Sequence, residues 1–368
     1  MKRSFFAFVI PLCLLLAASA GARPATSGAG FDRLQEAMRI ARQEALTPPD
    51  EGRAMAGAIR GYLGAIDAYS TYLTAKEYAA IYETPPRYGG VGMDLLQGRG
   101  GGFYCLPYEG GPAEKGGIVA GDILFSVNGV PVSRYSPLFL ESLIRGEPGT
   151  VVVLGIVSAG QARSVSVTRA VITRASAELV ANGKIQRLRI RRFDDDTLGQ
   201  LRQCLAEISP GEPLILDLRG NVGGDLQVAV AAAGLFLPSG VLVATLEDKA
   251  GKATAFQAQG TDTPFTGPIA LWQDRFTASS AEVFCAALRD HGVAKTFGQT
   301  SFGKGVAQSV IPAGDGDFFI ITTGRLLRPS GEPFNQRGLP PDFYISPERD
   351  TAAQDFMRKS LAFFGIEP

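Results

Sequence analysis

From Val171 onward the sequence alternates between two kinds of apolar text. Leu214-Ile215-Leu216-Asp217-Leu218 and Ile269-Ala270-Leu271-Trp272 are short continuous runs of strand length. Leu226 to Leu237, stopped by Pro238, and Glu282 to Arg289 repeat apolar residues at helical spacing. Alternation of this kind predicts an α/β layer with largely parallel strands. At 368 residues the chain is too long for one ordinary core and should divide into two or three domains. The pattern upstream is different. Phe31, Leu34, Met38, Ala41 and Ala45 share one helical face, and Met55, Ile59, Tyr62, Leu63 and Ile66 another, with Pro48-Pro49 between them. This helical region ends near Tyr82, punctuated by Pro85-Pro86, and from Tyr88 to about Arg169 short β-like runs stand between glycines. The expected units are a leader over 1–20, a helical region over 21–85, a β-rich domain over 86–170, an α/β core over 171–347 and a C-terminal helix over 348–368.

The leader has the form of a signal peptide. Lys2 and Arg3 precede an apolar run from Phe5 to Ala17, broken only by Pro11, and Ala18-Ser19-Ala20 supplies the small-x-small cleavage pattern. A retained anchor is the other reading, but 13 apolar residues fall short of the ~20 needed to span a bilayer. Cys13 lacks the small residues a lipoprotein signal places before its cysteine. Cleavage removes two cations and no acid, leaving a net charge of −2, and export to a periplasm is the expected fate. Residues 25–30 are small and polar and read as a disordered lead.

Composition excludes several chemistries. Equal numbers of cations and acids, 36 of each, give no electrostatic reason for nucleic-acid binding. The single histidine, His291, excludes HExxH zinc sites and centres needing two imidazoles, so no metal or other cofactor is expected. Cys105, Cys204 and Cys285 are too few for a disulfide framework, with at most one bridge among them. Cys204 and Cys285 lie among apolar residues and read as small buried hydrophobes. Asp194-Asp195-Asp196 reads as the acidic start of a helix over 198–208 rather than a calcium site, and Trp272 as core.

In the middle region, Gly89-Gly90-Val91-Gly92-Met93-Asp94-Leu95 places glycines ahead of a strand, where successive N–H groups can converge on a carboxylate. Gly111-Pro112-Ala113, Gly121-Asp122-Ile123-Leu124 and Val127-Asn128-Gly129 follow, then a helix from Pro137 to Ile144. This text resembles bacterial PDZ domains. The resemblance implies that a bound chain adds a strand beside Val91 to Leu95, with its C-terminus held by Gly90, Val91, Gly92 and Met93. A β-rich spacer whose glycines only make turns is the plainer alternative.

Two glycine-rich segments compete for the chemistry. Gly298 to Lys304 satisfies GxxxxGK, but Gly305 stands where a phosphate loop needs Ser or Thr, and Val306 to Ile311 reads as a strand rather than a helix. Thr277-Ala278-Ser279-Ser280-Ala281-Glu282 opens a helix, placing a serine where free N–H groups and the helix dipole favour an oxyanion. A plain N-cap serine is the alternative for Ser279. His291 lies twelve residues along the same helix, roughly 18 Å away at 1.5 Å per residue, and cannot act as its base. A lysine can, once burial lowers its pKa, and Lys304 lies between Gly303 and Gly305.

Lys304 stands twenty-five residues after Ser279, and Gln308 four further on. Together these residues resemble the carboxyl-terminal processing peptidases, tail-specific Ser-Lys proteases whose pattern reads Ser-Ala-Ser-Glu, then Gly-Lys-Gly, then Gln. Here Ser280-Ala281 replaces Ala-Ser. Leu216 to Gly224 follows the family's Leu-Asp-Leu-Arg-x-Asn-Pro-Gly-Gly with Val222 for Pro, and Ile66 to Leu73 its Asp-Pro-x-Ser-x-Tyr-Leu without the Pro. Arg328-Pro329-Ser330-Gly331 and Gly338-Leu339-Pro340-Pro341-Asp342 match its closing motifs. The resemblance implies N-terminal helices, a PDZ domain and a crotonase-like α/β core, with Ser279 as nucleophile, Lys304 as base and Gln308 as its support. It implies oxyanion donors at the N–H groups of Ser280 and Gly223, an acyl-enzyme, and protein C-termini as substrates. An adaptor protein and homo-oligomers are further partners it allows; a catalytically silent PDZ scaffold is the rival function. A straight strand would hold residues 304 and 308 roughly 13 Å apart, so the chain near Gly305 must turn if Gln308 is to reach Lys304.

Overall fold

The computed structural model describes residues 29–83, 89–98, 102–135, 137–180, 185–260, 264–347 and 352–367. The leader over 1–20 lies outside them. Helices Ala29–Glu44 and Glu51–Gly64 occupy the two periodic segments at the N-terminus. The first already includes Ala29 and Gly30, which the composition had assigned to the lead. Its apolar stripe stays exposed at Phe31 and Leu34. The second buries Ala56 and Leu63 against Tyr72. Tyr72 belongs to strand Thr71–Leu73, which pairs antiparallel with Asp317–Leu327 and so joins the N-terminal region to the far end of the chain.

The middle domain is an antiparallel sheet in the order Met93–Gln97, Phe103–Pro107, Ile123–Val127, Val151–Ser158, Gln161–Thr168. Helix Pro137–Ile144 sends Leu140 and Ile144 into its core beside Met93 and Leu95. The entering and leaving segments meet each other. Gly89–Gly90 pairs with Ala170–Val171, which closes the domain on one stem. Arg169 fixes the helix end, donating to the carbonyls of Ile144 at 2.8 Å and Leu143 at 3.0 Å.

The core carries the expected α/β layer. Strands Gln186–Ile190, Leu214–Asp217, Ile269–Gln273, Ala294–Gly298 and Phe343–Tyr344 run parallel, with Ala177–Val180 antiparallel at one edge. Leu214–Asp217 and Ile269–Gln273 are buried at every position, as strands covered on both faces must be. Helices Thr197–Ala206, Leu226–Ala233 and Ser280–Asp290 pack one face. The second ends at Ala233, short of Pro238, because Gly234 caps it where the chain passes close to Gln259. Helix Ala352–Phe364 covers the other face, where Trp272 donates to Ser360 Oγ at 2.8 Å. A second, antiparallel sheet is built on Asp317–Leu327. It includes Val306–Gly314, the segment a phosphate loop would have required to be a helix. Cys105, Cys204 and Cys285 are free and buried.

Phe284 is fully buried on Ser280–Asp290, with ring centroids 5.5 Å from Phe193 and 5.9 Å from Phe236. Phe284→Ala is expected to cost roughly 3–5 kcal/mol by chemical denaturation, since an aromatic removed from such a core leaves a cavity.

Candidate active site

Two loops leave the C-terminal ends of neighbouring parallel strands and fasten to one another. Leu214–Asp217 leads into Leu218 to Gly224, and Ile269–Gln273 into Asp274 to Ser279. Asp274 Oδ1 accepts from the N–H groups of Gly220, Phe276 and Thr277, each at 3.0 Å. Thr277 Oγ1 donates to the Leu218 carbonyl at 3.0 Å, and Ala278 N–H to the Asn221 carbonyl at 2.9 Å. Crevices of this kind, at strand C-termini, are where open α/β sheets place their ligands.

Ser279 emerges from this clasp with φ 59° and ψ −126°. A plain N-cap serine sits in the β region, so the capping role does not account for this backbone. A non-glycine residue held there carries strain on the order of 1–3 kcal/mol, which the surrounding bonds must enforce. Chief among them are those of Glu282. Its buried carboxylate accepts from Ser279 N–H at 2.9 Å, Ser301 Oγ at 2.5 Å, Gly303 N–H at 2.7 Å and Lys304 N–H at 2.8 Å. One side chain thus holds the backbone of both the serine and the lysine. Burial pushes its pKa up to about 7, against four donors that favour the carboxylate. In the sequence Glu282 stood only as the last residue of the family's Ser-Ala-Ser-Glu pattern, and the loop from Ser301 to Lys304 that it gathers had no signal there.

Ser279, Ser280, Lys304 and Gln308 line one cavity of about 60 Å3, together with Val222 and Gly224. Burial depresses the Lys304 pKa, opposed by the charges of Glu141, Asp67 and Glu282. Its ammonium rests 4.7 Å from the centre of the Tyr69 ring, and among the described residues it makes no hydrogen bond to Ser279. Nothing in the sequence singled out Tyr69. Gln308 is brought to the cavity by a break in strand register between Ala307 and Gln308, and its Nε2 donates to Thr322 Oγ1 at 2.9 Å. The irregular stretch through Gly305 and this bulge supply the turn that a straight strand lacks. His291 caps the far end of the helix, its Nε2 2.7 Å from the Leu242 carbonyl.

In the Asn221–Gly224 turn, Gly223 has φ 102°, and a Cβ there would lie 2.9 Å from both the Ala278 carbonyl and Ser279 Cβ. Only glycine fits so close to the serine. The Gly223 N–H already donates to Asn221 Oδ1 at 2.9 Å, whereas Gly224, the residue of the pair that lines the cavity, donates no hydrogen bond among the described residues. The middle domain closes over this region. Leu96 and Leu106 form a cluster with Phe276 and Ala278, and Tyr104, Val222 and Phe302 pack against it. On that domain, the carbonyls of Val91 and Gly92 accept from Ala113 and Tyr108, each at 2.8 Å. Met93 begins the strand that follows. Asp194 anchors Ser176 Oγ and Thr197 Oγ1 at the start of its helix.

Residues 184–345 match the model of peptidase family S41, and residues 103–158 that of the PDZ domain. By that match the α/β core, residues 184–345, is an S41 peptidase domain. It is 29% identical to a carboxy-terminal-processing protease of Bartonella bacilliformis over 83% of this chain and 72% of that protein. Against the carboxy-terminal processing protease CtpA of Bacillus subtilis it is again 29% identical, over 93% and 77%. Among solved structures, it is similar to a photosystem II D1 C-terminal processing protease, with 26% identity and a TM-score of 0.72 over 87% of this chain and 88% of that one. The chain is therefore a serine peptidase of the C-terminal processing kind, with a PDZ domain ahead of its α/β core.

Glu282→Gln places an amide where one oxygen accepts two hydrogen bonds, leaving donors unpaired in a buried site. A loss of about 1–3 kcal/mol by urea denaturation is expected, with a drop in peptidase activity larger than the loss of folded protein explains.

Proposed function

We propose that the protein is an exported endopeptidase that takes protein C-terminal tails on its PDZ domain and cuts by a Ser-Lys mechanism. The observation that carries this reading is the convergence of Ser279, Lys304 and Gln308 on one cavity at the head of a helix. Neutral Lys304 takes the Ser279 proton as the serine oxygen attacks the scissile carbonyl. The resulting tetrahedral oxyanion is held by the Ser280 N–H at the helix start and by the Asn221–Gly224 turn. Gly224 offers the free N–H of that turn; Gly223 serves only by releasing Asn221 Oδ1. Collapse of the intermediate expels the amine, which receives the proton back from Lys304, and water then hydrolyses the acyl-enzyme.

In the free enzyme the ammonium lies on Tyr69, so the side chain must swing from that ring toward Ser279. Gln308, its Nε2 occupied by Thr322, keeps a carbonyl oxygen to receive the lysine at the end of that swing. The PDZ reading rests on the loop over Gly90, Val91, Gly92 and Met93, where the N–H groups of Val91 and Gly92 donate no backbone bond among the described residues. Export is supported by the leader pattern alone. No helix among the described residues is long and apolar enough to cross a membrane.

Ser279→Ala and Lys304→Ala, each incubated with an unfolded protein, are both expected to abolish cleavage while leaving the fold intact by circular dichroism. Retained cleavage in either removes the dyad, and tail binding without reaction of a serine-directed probe leaves only a PDZ scaffold. The rate should also depend on pH with a definite sign. Glu282 must lose its proton near pH 7 to accept all four donors, and Lys304, whose pKa burial lowers, must lose its own to act as base. kcat/KM is therefore expected to rise with pH across the neutral range and to plateau below pH 10.5, the ordinary lysine value.

A further inference from the structure

The family pattern places alanine directly after the nucleophile, and this chain places Ser280 there. Its side chain is an anomaly in energetic terms. Ser280 is 2% exposed, and its Oγ is buried without a hydrogen-bond partner among the described residues. A hydroxyl left in that state costs about 1–3 kcal/mol relative to one that is satisfied. Alanine at the same position would avoid the cost and suits a helix start as well as serine does.

The location of the orphan is informative. Ser280 lines the same cavity as Ser279, Lys304 and Gln308. A Cβ built on Gly223 would lie 3.0 Å from Ser280 Oγ and 2.9 Å from Ser279 Cβ, so the hydroxyl and the Ser279 side chain both pack against the glycine turn. That turn therefore adjoins the helix start at Ser280, beside which negative charge appears when Ser279 attacks a carbonyl.

We propose that the Ser280 hydroxyl is a third donor to the oxyanion, added to its own N–H and to the glycine turn. The proposal rests on the Ser-Lys reading. The hydroxyl is unpartnered in the free enzyme and gains a partner when the carbonyl oxygen becomes tetrahedral and charged. An interaction present in the transition state and absent before it raises kcat and leaves KM alone. A serine hydroxyl turns freely about its Cβ–Oγ bond, so it can follow the oxygen as the carbonyl carbon changes shape.

The test compares Ser280→Ala and Ser280→Cys with the natural protein on a fluorogenic peptide, with rates normalised to folded protein. Removing a single oxyanion donor costs ~10²–10³ in kcat where few donors are present. With two N–H groups remaining, Ser280→Ala is expected to lower kcat about tenfold to a hundredfold at unchanged KM. A peptide boronate, which is tetrahedral when bound, should lose affinity by a similar factor. Ser280→Cys, with a weaker donor, should fall between the two. The melting temperature of Ser280→Ala should stay level or rise, because no existing bond is broken. A kcat equal to the natural protein's overturns the proposal, and so does a loss of rate fully explained by loss of folded protein. These outcomes leave the dyad standing provided Ser279→Ala is inactive. Activity retained in Ser279→Ala but lost in Ser280→Ala would make Ser280 the nucleophile, overturning proposal and dyad together.

Discussion

The Glu282 carboxylate is the interaction on which the rest of the site depends. It is fully buried, among the described residues it has no cation bonded to it, and it accepts from four donors that all belong to the loops bordering the cavity. Two of these, from Ser279 and Lys304, fix the backbone of the residues that must meet. Such an arrangement couples catalysis to folding at one point. The carboxylate is tolerable in the interior only while both loops are in place, and the loops stay in place only while the carboxylate is charged. The strain at Ser279 is sustained by the same bonds, supplemented by the Asp274 clasp on the adjoining turn.

Much of this was legible in the sequence, for physical reasons that differ from residue to residue. The alternation of apolar runs identified the parallel sheet because strands buried on both faces have no polar period to confuse. Exclusion pointed from the one histidine, at the wrong end of a helix, to a lysine; the family resemblance then singled out Ser279 and Lys304, which the structure places on one cavity. Gln308 was legible as a residue but not as a geometry, since its reach depends on a bulge that periodicity cannot reveal.

Other features had no local signal. Whether Gly223 or Gly224 offers a free N–H is decided by the side chain of Asn221, a matter of one rotamer. Tyr69 reaches the lysine through a strand pairing between the two ends of the chain. Glu282 was read as the last letter of a motif, whereas its importance comes from Ser301 and Gly303, brought to it by the tertiary fold. Sequence reasoning worked where a residue's task is set by neighbours along the chain and fell silent where it is set by neighbours in space.

Val222 stands where the family pattern has proline. A proline would stiffen the Asn221–Gly224 turn through its own ring. Here the residue leans instead on Leu96, Leu106 and Phe276, an apolar cluster half of which belongs to the PDZ domain. The rigidity of the turn has in effect been transferred from covalent geometry to contact between domains. A core excised from its PDZ neighbour would keep Ser279, Lys304 and Gln308 and lose the surface on which Val222 rests. The two units are distinct in sequence and in fold, yet the cavity that Ser279 and Lys304 line is bordered by a residue that leans on both.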